Sequence, residues 1–207
     1  MTLRVRLALA TALTATIATL GVVLSRAPLV LAGTDGIPAK SAVTFIHRSE
    51  TRCQGGGTLP AGTVAIRVSL SANAGPGVSL WALSGSRVIT RGERGAGWGT
   101  DETVTVPVQR VPETVGGTSV CVAIGPPAEG IQVNGAPVQT SAGGRAIWLR
   151  LEYLRPGTRS WASLAASVAR HMGIGHTPGG AWAAFSAIAA MLAVCVIVSR
   201  ALLSDLP

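Results

Sequence analysis

The sequence predicts a mainly β protein, an antiparallel β-sandwich of jelly-roll-like or Ig-like type, set between an N-terminal signal or anchor helix and a C-terminal transmembrane helix. Three observations predict it. Between residues 41 and 153 apolar and polar side chains alternate with a period of two, the repeat of a strand with one buried face. Gly, Pro and Asn punctuate that stretch at roughly eight- to twelve-residue intervals. No helical pattern separates the alternating runs, which argues against a doubly wound α/β fold. With 207 residues, 48% of them hydrophobic and 13% charged, the chain is too apolar for a disordered tail and too short for two large domains.

Residues 1–32 form a signal peptide or a signal-anchor helix. Arg4 and Arg6 precede a charge-free run over 7–24, and Arg26 follows it. Val30 and Ala32 supply the small side chains of a cleavage site after Ala32, so cleaved and retained forms are both open. Either way the arginines hold the start in the cytoplasm and the chain beyond is exported. Residues 33–40 are a linker and 41–154 the sandwich. Its clearest strand is 64–70, with Val64, Ile66, Val68 and Leu70 inward and Ala65, Arg67 and Ser69 outward. Over 103–108 Val104, Val106 and Val108 face inward, and Pro107, which lacks a backbone donor, puts that strand at a sheet edge. Further strands at 43–48, 78–83, 87–91, 120–124, 131–134 and 147–153 give about eight, enough for two packed sheets. Turns fall at 73–77, 84–86, 116–117, 125–127 and 143–144, and Asn134-Gly135 reads as a type I′ hairpin.

Residues 155–178 are a juxtamembrane segment. Pro156 and Gly157 end the last strand, Thr158 or Ser160 caps a helix, and Trp161, Leu164, Ala165, Val168 and Met172 share one face. Such a helix lies along the outer headgroup layer, with Trp161 at the interface and Arg155, Arg159 and Arg170 available to anionic lipid; packing on the sandwich is the alternative. Residues 179–199 carry no charge and, at about twenty residues, match a bilayer core of about 30 Å. Trp182 marks one interface of that span, Arg200 the other, and 200–207 form a cytoplasmic tail.

Of the three cysteines, Cys195 sits in the second apolar run and behaves as a small hydrophobe. Cys53 and Cys121 remain as a disulfide candidate, tying the loop after the first strand to a late strand. The bond needs an oxidising compartment, and closing a loop of about seventy residues is worth about 4 kcal/mol in the chain-entropy model. Two reduced, buried thiols are the other reading.

Nothing in the residues points to a reaction. The 17 basic residues exceed the 9 acidic ones, for a net charge of +8, but the arginines are scattered among acids and form no nucleic-acid footprint. His47, His171 and His176 have no carboxylate or thiol close by in sequence, so no metal site is expected. The glycine-dense stretch 92–99 lacks the helix N-terminus of a phosphate loop. Asp101 and Glu102 are adjacent, so on a strand they point to opposite faces. No catalytic residue and no cofactor are therefore expected. Trp81, Trp98 and Trp148 are the candidate stacking platforms for a ligand; Trp98, in its glycine loop, is expected to be the most exposed, and Trp148 either a platform or a cover for the core.

The runs CQGGGTLPAGTVAIRVSL, SGSRVITRGERGAGW, VTVPV, VCVAIGP and LEYLRPGTRSWASLAASVARHMGIGH, in that order before a terminal span, resemble small membrane-anchored envelope proteins of high-GC actinobacteria. The resemblance covers most of the chain from Cys53 onward. It implies a membrane-anchored exported β domain associated with surface-glycan or glycosyltransferase systems, and it assigns no catalytic position. The expectation is a cell-membrane protein with its β domain on the extracytoplasmic side, contacting lipid and binding or positioning an envelope glycan or a membrane protein partner. An enzyme acting on envelope polymers and a structural subunit of a membrane complex are the alternatives.

Overall fold

A computed structural model of the chain describes residues 3–38, 42–99, 103–139 and 145–171. It divides into two compact units, Leu29–Pro156 and the segments on either side of it. Among the described residues the first unit holds twelve strands: β1 (Leu29–Thr34), β2 (Ala42–Ile46), β3 (Glu50–Leu59), β4 (Ala65–Val68), β5 (Leu70–Ser71), β6 (Val78–Ser84), β7 (Arg87–Arg94), β8 (Val104–Pro107), β9 (Val115–Ile124), β10 (Ile131–Gln139), β11 (Arg145–Leu149) and β12 (Leu151–Pro156). The strands form three antiparallel sheets, ordered β1-β12-β4-β8, β3-β9-β6-β7, and β11-β10-β2 with β5 also paired to β10. The unit is mainly β and antiparallel, consistent with a sandwich.

Inward residues from all three sheets meet in one core, among them Ile66, Leu80, Val106, Val122, Ile131 and Leu149. Each such side chain contributes about 1.5–3 kcal/mol on full burial. Ile66, Val68 and Leu70 are buried as expected and Arg67 points out to pair with Glu152 Oε2 at 3.2 Å, but Ala65 and Ser69, expected outward, are buried as well, and Val64 is only half-buried. β8 stands at a sheet edge, where Pro107 costs no ladder bond on its free side.

Several boundaries differ from expectation. β1 runs across the anticipated junction at residue 32 and into the supposed linker, because Leu29, Val30 and Leu31 pair with Pro156, Arg155 and Leu154. β3 contains Gln54-Gly-Gly-Gly57, whose glycines hide the alternation of a strand. Asn134-Gly135 is no hairpin turn: both lie inside β10, with Gly135 opposite Leu149. The glycine is needed there for close approach, since a Cβ would collide with the Trp148 carbonyl oxygen. The run 147–153 is two strands in different sheets, broken at Arg150, whose carbonyl accepts from Ser69 N at 3.2 Å.

The second unit holds α1 (Leu3–Ser25) and α2 (Trp161–His171). Its two segments are joined where Gly157 N donates to Pro28 O at 2.8 Å and Trp161 N to Arg26 O at 3.0 Å. Ser160 caps α2, its Oγ accepting from Ser163 N at 3.3 Å. Trp161 is 46% exposed, and Arg155 and Arg159 are also exposed. Among the described residues, no helix is long and apolar enough to cross a membrane. The expected span at 179–199, with Trp182 and Arg200, the turn at 143–144, Cys195 and the side chain of Arg170 lie outside the described residues.

Candidate functional site

One row of side chains crosses the sheet β3-β9-β6-β7. In register, Cys53 faces Cys121, Cys121 faces Trp81, and Trp81 faces Arg91. Alternation along β6 buries Val78, Leu80 and Ala82 in the core and turns Trp81 to the other face. Cys53 and Cys121 are joined as a disulfide. The link therefore runs between opposed residues of neighbouring strands, whereas the sequence had placed Cys53 in a loop.

Beyond Arg91 the chain leaving β8 extends this face. Gln109 N donates to Arg91 O at 3.2 Å, and Thr90 Oγ1 donates to Gln109 O at 2.6 Å. Ser79, Trp81, Val88, Arg91, Glu93 and Gln109 line an open groove of about 730 Å³, within the range of roughly 300–1,000 Å³ usual for ligand sites. Trp81 is half-buried, and Arg91, Glu93 and Gln109 are exposed. An indole face flanked by a guanidinium, a carboxylate and a carboxamide offers apolar contact together with planar donors and acceptors.

A smaller cleft, of about 170 Å³, is lined by Asp35, Gln54, Gly57, Thr118, Trp148 and Tyr153. Its polar groups are mostly committed to the fold. The Gln54 amide reaches from β3 to the end of β11, where Nε2 donates to Leu149 O and Oε1 accepts from Leu149 N, both at 2.7 Å. Nε2 also donates to Asp35 Oδ2 at 2.8 Å. Asp35 accepts further from Ile37 N at 3.0 Å and Leu151 N at 2.9 Å. Burial raises the Asp35 carboxyl above its ordinary range, against the pull of those backbone donors and of Arg150. Tyr153 is 1% exposed, and its hydroxyl has no hydrogen-bond partner among the described residues. Burial, and then the negative charge of Asp35, pushes that phenol up to about 12.

Trp148 is half-buried at this cleft, part rim and part cover. Trp98 departs from expectation: it is 7% exposed and belongs to the core. Its Nε1 donates to Pro76 O at 2.6 Å, and its ring fills the space that a Cβ on Gly75 would occupy. The glycines around Trp98 thus make room for the ring to fold inward. Sequence reasoning missed Phe45, exposed on β2 and stacked on His47 with centroids 6.3 Å apart, although their i, i+2 spacing places both on one strand face. It also missed Asp35, Gln54 and Tyr153, whose contacts are long-range. Among the described residues no three of His, Cys, Asp and Glu gather as a metal site would require.

No family model matches the chain. No curated protein matches it. Among solved structures, CsCBM6-3 from Clostridium stercorarium, in complex with cellobiose, is similar at 9% identity over 63% of this chain and 94% of that chain, with a TM-score of 0.30. So loose a likeness assigns neither topology nor ligand.

Proposed function

We propose that the chain is a membrane-tethered, extracytoplasmic β-sandwich that binds a cell-envelope glycan without transforming it. The observation that carries the reading is the groove in which Trp81 stands between a disulfide and Arg91, with Glu93 and Gln109 beside it. The C–H face of a sugar ring stacks on the indole, and the planar polar groups bond its hydroxyls. The disulfide supports an oxidising compartment. The charge-free sequence 7–24 supports a tether, as does the exposed Trp161 on α2.

The test is affinity of the full-length protein in detergent for purified envelope polysaccharide, followed by tryptophan fluorescence. Trp81→Ala is expected to weaken binding by about tenfold or more, the equivalent of losing one stacking platform. Equal binding by Trp81→Ala, or none by the wild type, contradicts the reading. Shortening of the polysaccharide during incubation favours an enzyme acting on envelope polymers instead. Stable co-purification with a membrane glycosyltransferase and no glycan affinity favours a structural subunit.

A further inference from the structure

Among the described residues β1 is an edge strand, and its surface is unusual. Leu29, Val30 and Leu31 are 44%, 38% and 54% exposed, so apolar side chains on both faces meet solvent along an open edge. A bare apolar edge invites aggregation, and native proteins cover theirs. The covering must be apolar and close to the end of α1, because only Arg26, Ala27 and Pro28 separate Ser25 from Leu29. Four residue steps reach at most about 14 Å even fully extended. If α1 ends at the bilayer surface, Leu29 lies in or just above the headgroup layer, which is about 5–8 Å deep on each side. Val30 faces Arg155 across the ladder, so an exposed cation adjoins the apolar edge. Apolar side chains beside arginine suit an anionic lipid surface.

We infer that β1 is the lipid-facing edge of the domain: Leu29, Val30 and Leu31 rest among the headgroups, and α1 remains joined to them. The inference deepens the tethering reading and rests on it. It decides between the two fates of the N-terminus. Cleavage after Ala32 would remove the residues that pair with Leu154, Arg155 and Pro156 and leave only Gly33 and Thr34 of the strand.

The experiment uses the full chain carrying Cys195→Ala, with Leu31→Cys or, as control, Ser86→Cys in the exposed hairpin turn between β6 and β7. Each variant is nitroxide-labelled and reconstituted in vesicles of phosphatidylcholine and phosphatidylglycerol. The label at 31 is expected at headgroup depth, shielded from a water-soluble relaxant, while the label at 86 is fully accessible. The intact mass is expected to include α1. Equal aqueous access at 31 and 86 overturns the lipid contact, as does a disulfide-linked dimer through position 31, which would show a second copy covering the edge. A mature chain starting at Gly33 overturns it too. If position 86 can be labelled only after cells are broken, the export reading itself fails, which separates that failure from failure of the edge.

Discussion

Gln54 and Tyr153 sit on the same cleft and make opposite predictions. Gln54 gives Leu149 the two bonds that a neighbouring strand would supply and holds the Asp35 carboxylate as well. Gln54→Leu keeps the bulk and strands those partners, so denaturant unfolding is expected to show a loss of about 1–3 kcal/mol. Tyr153→Phe removes a hydroxyl that bonds to nothing described, and its unfolding midpoint is expected to match or exceed the wild type. Asp35 supplies a pH signature. Because its folded pKa lies above 3.8, its stabilising contribution is complete below that value and is lost as pH rises through the raised folded value. Asp35→Asn lacks this slope, so the stability difference between the two proteins should change across that window in paired melts. None of these contacts was legible in sequence, since each joins positions far apart: Gln54 to Leu149, Asp35 to Leu151. Trp98 was misread for a related reason. Its glycine neighbours suggested exposure, and only the fold shows that Gly75, distant in sequence, leaves the slot that the ring fills.

Strands with strict alternation and branched side chains could be read directly. In β4, Ile66 and Val68 took the predicted inward phase, and Ile66→Asp is expected to abolish protease resistance by placing an unpaired charge at a fully buried position. The edge position of β8 followed from Pro107 alone. β3 could not be found this way, because three consecutive glycines carry no pattern, although Cys53 within it finds Cys121 directly opposite. Cys53→Ser is expected to lower stability by about 2–5 kcal/mol, and mass mapping without reductant should recover residues 53 and 121 in one linked peptide pair. Asn134-Gly135 shows the limit of a turn dipeptide. The same pair that favours a hairpin also suits a crowded strand, and the approach of the Trp148 carbonyl decided for the strand.

At the scale of the whole molecule, register brings the start and end of the β unit together: Leu29 faces Pro156, so the chain enters and leaves at one corner. The sequence showed two apolar ends and a β centre, but not that the strands flanking those ends would pair with each other. The pairing puts both connections of the β unit at one corner, which the proposed tethering takes as the point of attachment, and the Trp81 groove is carried on a different sheet from β1 and β12. The proposed function depends above all on the β unit lying outside the cell. The most direct measurement is labelling of Ser86→Cys, in a Cys195→Ala background, by a membrane-impermeant maleimide. The account predicts full modification on intact cells at the rate seen after lysis; modification only once the membrane is breached would contradict it.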